Sequence, residues 1–130
     1  MDSYRIAIEP RDDYLHVNVS GSNTPETIGR YSTDIRDACI RTGVFKVLVV
    51  VHLHGAPLSM LDVYKAVAQA SDAAAGLGIR VAYVEPNPER SQANLDIGET
   101  VARTRGIPAQ TFRDVESAAA WLRSIETRAE

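Results

Sequence analysis

The chain has 130 residues, of which 45% are hydrophobic and 24% charged, and its formal net charge is −3 at pH 7. This length indicates a single domain over residues 1–130 with a substantial core. The charge balance and the lack of a basic stripe argue against a nucleic-acid partner, and no apolar stretch approaches the roughly 20 residues of a membrane span. With no secretory signal and Cys39 as its only cysteine, the chain is expected in the reducing cytoplasm.

The first two elements are predicted to form a β-hairpin. Apolar and polar side chains alternate over residues 4–9 and again over 14–19, which is typical of strands with one buried face. The residues between them, 10–13, have turn chemistry. Two strands joined by so short a connection must be antiparallel, because a parallel pair needs a long crossover.

The segment 44–54 is predicted to be the central strand, preceded by a helix that begins after Thr24 and ends at Gly43. Thr24 and Pro25 suit the cap and first position of that helix. Six of the seven residues over 47–53 are aliphatic. An unbroken apolar run of this length indicates a strand covered on both faces.

Three further helices are predicted from their caps, which are Ser59, Asn87 and Asp114. The second helix is expected to bury Leu61, Tyr64, Val67 and Ala68. The third has a thin apolar stripe, and strands are predicted over 79–84 and 107–112. The order ββαβαβαβα predicts an α/β fold with a mixed, mostly parallel five-stranded sheet and four helices.

A functional rim is predicted at the carboxyl ends of the strands, where ligands and partners of parallel α/β sheets meet the loops. Its principal residues are Asn23, His52, His54, Gly55 and Ser59. Other polar loop residues surround them, namely Ser20, Ser22, Thr24, Glu85, Asn87 and Asp114. The alternative is that these residues serve only as caps and turns. No phosphate-binding or nucleophile-elbow motif occurs, so neither a catalytic residue nor a cofactor is predicted.

Three histidines are the only candidate metal ligands considered. His52 and His54 alternate along the central strand, so their side chains point to the same face, and His16 lies on a neighbouring strand. This spacing is not specific, and no metal site is predicted from it. Cys39 and Trp121 lie on or beside apolar helix stripes and are interpreted as packing residues.

The element order and the end of the chain resemble the STAS fold of the SpoIIAA-like anti-sigma factor antagonists. The local likeness is to the closing strand and helix of SpoIIAA-like (STAS/SEC14-related) proteins and is carried by residues 101–112, Asp114 and 118–122. The resemblance implies a non-catalytic, cytoplasmic, bacterial domain that acts through protein contacts, sometimes switched by serine phosphorylation. Ser59 matches the switch serine in position, without the Asp and Gly that accompany it in that family.

Three hypotheses follow for the function. The first is a regulatory module whose protein partner contacts Ser59 and the rim. The second, implied by the SEC14-related side of the resemblance, is a binder or carrier of a small apolar molecule or lipid. The alanine-rich second helix and thin third helix favour a cleft for such a ligand. The third and weakest is a metal-dependent enzyme using His16, His52 and His54. The edge strands are also compatible with a homodimer.

Overall fold

The computed structural model describes residues 4–128, with side chains as far as Ser124. Within that part of the chain lies a five-stranded sheet with the strand order β1-β2-β3-β4-β5. The strands are β1 (Arg5–Arg11), β2 (Tyr14–Ser22), β3 (Lys46–His54), β4 (Arg80–Val84) and β5 (Ala109–Phe112). The helices are α1 (Pro25–Thr42), α2 (Met60–Ala73), α3 (Gln92–Thr104) and α4 (Val115–Arg128). β1 is antiparallel to β2 and the other pairs are parallel, so the predicted α/β fold is confirmed.

The helices are distributed unequally between the two faces of the sheet. Each parallel strand lies beside the strand that precedes it in sequence, so right-handed crossovers place α1, α2 and α3 on one face. We call this the three-helix face. α4 follows the last strand and does not connect two strands. It packs against β3, β4 and β5 on the opposite side of the sheet, which we call the α4 face.

β3 is the central strand, as predicted, and both of its sides are buried. Val47, Val49 and Val51 are at most 1% exposed and pack towards the three-helix face. Leu48 and Val50 alternate with them and pack towards α4. Each aliphatic side chain contributes roughly 1.5–3 kcal/mol on full burial, so this strand supplies much of the core.

The hairpin turn is shorter than predicted. β1 continues through Pro10 and Arg11, which pair with Leu15 and Tyr14, and only two residues connect the strands. Proline is tolerated because β1 is an edge strand and this position needs no ladder donor. Asp12 adopts the left-handed conformation that a tight hairpin turn requires, with φ of 47°.

The predicted buried face of α2 is wrong in part. Leu61 and Tyr64 are 59% and 48% exposed. The buried residues of this helix are Val63, Ala66, Ala68 and Ser71. Apolar residues lie around most of α2, so their spacing allows more than one stripe, and the stripe with smaller side chains faces inward.

Three predicted caps are confirmed and one is wrong. The side chains of Thr24, Ser59 and Asp114 each accept from the backbone N–H three residues on, at 2.8–3.1 Å. α3 is instead capped by Ser91, whose hydroxyl accepts from the N–H of Asn94 at 3.1 Å. Asn87 accepts from the N–H of Glu89 and therefore forms a turn before the helix.

Cys39 and Trp121 are packing residues, as predicted. Cys39 is fully buried, and burial raises the pKa of its thiol to about 11. The Trp121 ring lies 5.9 Å from that of Phe112 at the end of β5. None of the helices over residues 4–128 combines the length and apolar character needed to cross a membrane.

The outer edge of β5 is hydrogen-bonded to α3. The carboxylate of Glu99 accepts from the backbone N–H of Thr111 at 2.8 Å, and Arg103 donates to the carbonyl of Ala109 at 2.6 Å. These side chains occupy groups that an added strand would use. A homodimer through either edge strand stays a possibility that the sequence suggests, and at the β5 edge these side chains would have to be displaced first.

Candidate functional site

A cavity of about 240 Å³ lies between the sheet and the three-helix face. Val49, Val81 and Tyr83 form part of its floor. Its walls include Tyr31 of α1, Val67 of α2 and Leu95 of α3. An apolar cavity of this kind is the usual form of a small-molecule site.

Small residues on the facing helices explain why this volume is unfilled. Ala70 of α2, its C-cap Ala74, and Gly98 and Ala102 of α3 line the cavity. α2 and α3 approach each other closely at Gly98, where an added Cβ would lie 3.6 Å from the Cγ2 of Val67. Close-packed interiors contain few voids larger than a water molecule, so a cavity of this size is a distinct feature of this face.

The cavity is apolar at one end and polar at the other. Ile79 and Ile107 lie at the amino ends of β4 and β5 and line its apolar end. Glu85, Arg90 and Asn94 line the end near the carboxyl ends of the strands. Exposed loop residues also line this polar end, which is therefore open to solvent and forms the mouth of the cavity.

Glu85 is a buried acid at the cavity mouth. It is 6% exposed, and one of its carboxylate oxygens accepts from the backbone N–H of Asn87 at 3.0 Å. Burial raises the pKa of Glu85, because desolvation disfavours the charged form. Four nearby groups lower the pKa of Glu85 and so favour its charged form: the N–H of Asn87 and the side chains of Arg90, Arg113 and His52.

Two tyrosine hydroxyls lie near this carboxylate. Tyr31 and Tyr83 both line the cavity, and each of them influences the pKa of the other, as Glu85 influences the pKa of both. Burial raises the pKa of Tyr31 to about 12 and that of Tyr83 well above its ordinary value. Both hydroxyls are therefore neutral at pH 7 and able to exchange hydrogen bonds with a ligand.

Two arginines hold the loops around the mouth. The Arg90 guanidinium donates to the carbonyl oxygens of Leu53 at 2.7 Å and Gly55 at 3.2 Å. Arg113 donates to the carbonyls of Asn87 at 2.8 Å and Arg90 at 3.1 Å. The positive charges thus serve mainly to fix the backbone between β4 and α3.

The predicted rim residues lie at the same end of the sheet as the cavity mouth. The backbone N–H of Asn23 donates to the carbonyl of His54 at 2.7 Å, and its side-chain amide donates to Ala56 at 3.0 Å. Gly55 adopts a φ of 113°, which suits glycine in this turn. Asn23 also lines the cavity. A binding role for Asn23, His52, His54, Gly55 and Ser59 stays a prediction.

The three histidines do not form one site. His16 pairs with Leu48 and Ser20 pairs with His52, so His16 and His52 are offset by four residues. At about 3.3 Å per residue this offset is roughly 13 Å. His16 is buried whereas His52 and His54 are exposed. Among the described residues, no group of three or more histidine, cysteine or acidic side chains could hold a metal ion.

Sequence reasoning missed most of the cavity residues. Glu85 was predicted only as a loop residue of the rim, and Tyr31 was not predicted as a site residue. Arg90 and Arg113 were not predicted as site residues, because charged residues in loops are common and do not by themselves indicate a site. The available signal was an acid placed directly after a buried strand, followed by Pro86 and Asn87.

No protein-family model matches the chain, and no curated protein matches it. One solved structure that it resembles is an uncharacterized DUF3478-family protein with a SpoIIAA-like fold from Shewanella loihica PV-4. The sequences are 17% identical over 94% of this chain and 95% of that chain, with a TM-score of 0.52. At this identity the likeness shows the fold alone. The predicted resemblance is thus confirmed at that level, and the chain has a SpoIIAA-like fold.

Proposed function

We propose that the protein is a non-catalytic carrier or sensor that binds a small, mainly apolar molecule in the cavity of its three-helix face. The observation that carries this proposal is the 240 Å³ cavity with an apolar body and a polar mouth. An engineered apolar cavity of about 150 Å³ binds benzene. By that comparison, this cavity accommodates a ligand of roughly ten non-hydrogen atoms.

The energetic cost of such a cavity also supports a binding role. Residual cavity volume costs about 24 cal/mol per Å³, so a dry cavity of 240 Å³ would cost at most roughly 6 kcal/mol. Small domains are stable by only about 5–15 kcal/mol in total. A bound apolar molecule would restore the missing contacts and offset part of this cost.

Filling the cavity tests the proposal. Ala70→Leu adds three carbons at a cavity-lining position of α2, and Ala73→Leu adds the same atoms at an exposed position of the same helix. With 1-octanol as the probe in calorimetric titrations, we expect Ala70→Leu to bind at least about tenfold more weakly than the wild type, because each lost methylene contact is worth about 0.8 kcal/mol.

Ala73→Leu should bind 1-octanol like the wild type, and both variants should unfold cooperatively. Native mass spectrometry of the purified wild type should also show a bound small molecule that Ala70→Leu lacks. Equal affinity of all three proteins for 1-octanol would contradict the cavity as the binding site.

A regulatory protein contact is a second candidate function, favoured by an exposed apolar cluster at the start of α2. Met60, Leu61 and Tyr64 are 58%, 59% and 48% exposed and directly follow Ser59. Exposed apolar clusters often mark interaction sites. A phosphate on Ser59 would meet the favourable end of the helix dipole but would replace its cap. Affinity capture from the native host with the wild type and Ser59→Glu should recover different amounts of a partner; identical recovery would count against this role.

A further inference from the structure

We propose that the cavity selects ligands whose polar end donates a hydrogen bond, such as an aliphatic alcohol or amine, and disfavours carboxylates, because Glu85 receives that polar end. This inference rests on the proposed binding function and specifies the chemical class of its ligand.

The position of Glu85 directs its carboxylate towards the cavity. Alternate residues of a strand face the same side, so Glu85 continues the row of Val81 and Tyr83 on the floor of the cavity. Glu85 lines the cavity and is 6% exposed. Its side chain is thus held where the polar end of a ligand in the mouth would lie.

One carboxylate oxygen of Glu85 remains available to a ligand. The other oxygen accepts from the N–H of Asn87 at 3.0 Å. Among the residues whose side chains are described, none donates a second hydrogen bond to the carboxylate of Glu85, and Arg113 reaches only its backbone carbonyl, at 3.4 Å. This second oxygen is not one of the fully buried atoms without a hydrogen-bond partner, so it is reachable from the mouth, where a ligand donor can take the place of solvent.

The nearby cations do not provide an equivalent site for an anion. Arg90 donates to the carbonyls of Leu53 and Gly55. Arg113 donates to several backbone carbonyls of the loop after β4 and to the side chain of Gln92. A ligand carboxylate would have to displace these bonds and would stand beside Glu85, where like charges repel strongly because little water screens them.

Tyr31 and Tyr83 make the cavity mouth suitable for a ligand with a hydroxyl head group. Tyr31 and Tyr83 line the same cavity as Glu85, so a ligand hydroxyl can donate to Glu85 and accept from a tyrosine hydroxyl, since a hydroxyl serves as both donor and acceptor. An amine can only donate when charged, but it gains the attraction of the carboxylate. Both head groups therefore suit the mouth, and the hydrocarbon chain suits the apolar end.

The test compares three probes that share one hydrocarbon chain: 1-octanol, octylamine and octanoate. Calorimetric titrations at pH 7 would use the wild type, Glu85→Gln and the control Glu89→Gln, which removes the same charge from an exposed residue of the same loop. We expect the wild type and Glu89→Gln to bind octylamine and 1-octanol at least about tenfold more tightly than octanoate, as a charged hydrogen bond allows. In Glu85→Gln the gap between octylamine and octanoate should shrink by about tenfold.

Tyr83→Phe provides a second variant that keeps the ring and removes the hydroxyl. It should weaken 1-octanol binding several-fold and leave octylamine nearly unchanged. Equal binding of all three probes to the wild type, or a preference that Glu85→Gln leaves intact, would overturn the inference while the proposed binding function stands. Failure of every probe to bind the wild type would overturn both.

Discussion

The two faces of the sheet use the same strands but are packed in different ways. On the α4 face, Leu48, Ala82 and Ala118 are completely buried and Leu122 is 1% exposed. On the three-helix face, Val81 and Tyr83 of the same central region are only partly buried, because they border the cavity. Along β4, the single helix α4 thus covers its side of the strand more completely than the three helices cover the other side.

The difference shows that small residues have opposite consequences in different surroundings. On the α4 face, Ala118 and Ala119 lie over Ala82, so the small side chains allow the helix to approach the sheet. On the other face, Ala70 and Ala102 line the cavity together with Tyr83 and Val81, so their small side chains leave part of this volume unfilled. Alanine therefore produces tight packing where the backbones can approach and a void where they cannot.

Leucine truncations on the two faces should give the largest contrast. Leu122→Ala opens a new void in a closed core and should lower the free energy of unfolding by about 3 kcal/mol. Leu95→Ala only enlarges the existing cavity and removes a half-buried side chain, so we expect a loss of about 1 kcal/mol. Urea unfolding of both variants measures the difference.

Equal losses for the two truncations would show that the three-helix face is as closely packed as the α4 face. The slope of the unfolding free energy against urea concentration provides a control, because it should be the same in both variants if neither changes the unfolded state.

Much of the fold could be predicted because it depends on local patterns. The apolar run over 47–53 identifies the central strand, and Gly43 ends the helix before it with a φ of 76°. The element order then determines the layers, since connections between parallel strands are right-handed. Strand direction also decides at which end of the sheet the rim loops lie, while the binding role of the rim stays a prediction.

The cavity could be predicted only as a tendency, because it depends on distances between elements. The alanine-rich α2 and thin α3 favoured a cleft, but spacing along one helix does not show which stripe faces the sheet. Leu61 and Tyr64 were therefore assigned to the wrong face. The burial of Glu85 could not be predicted for a similar reason, because it depends on parts of the chain that are distant in the sequence.

Two glycine substitutions should change the free energy of unfolding by less than Leu122→Ala does, and in opposite directions from each other. Gly98→Ala adds a methyl group at ordinary contact distance from Val67 and Val63, in a helix where alanine is favoured. We expect it to raise the free energy of unfolding by about 0.5–1 kcal/mol. Gly43→Ala has open space but a φ of 76°, so strain should lower stability by about 1 kcal/mol.

Thermal unfolding of both glycine variants provides the measurement. If Gly98→Ala were less stable than the wild type, α2 and α3 would be unable to accept even a methyl group at ordinary contact distance. The three-helix face would then be rigid despite its cavity.

The smallest effect concerns pH, because each face contains a buried group that titrates in the opposite sense. The pKa of Glu85 is raised by burial above its ordinary 4.5, so between 4.5 and the raised value the folded state binds more protons than the unfolded state. Stability should therefore decrease as pH rises through that window. Glu85→Gln removes this dependence, so its unfolding temperature should exceed that of the wild type at pH 7, by a margin that shrinks towards pH 4.5.

His16 should give the reverse dependence. Burial, with a contribution from Arg11, lowers the pKa of His16 below its ordinary 6.5, although Glu9 acts in the opposite direction. Between the lowered value and 6.5 the unfolded state binds more protons, so stability falls as pH drops through that window. The Nδ1 of His16 is buried without a hydrogen-bond partner, and His16→Leu removes both the charge and this unpaired nitrogen. The free energy of unfolding of His16→Leu should thus exceed that of the wild type by a margin that grows as pH falls below 6.5. The corresponding margin for Glu85→Gln should shrink as pH falls. Parallel stability curves for the two variants between pH 4.5 and 8 would show that neither buried group is coupled to folding.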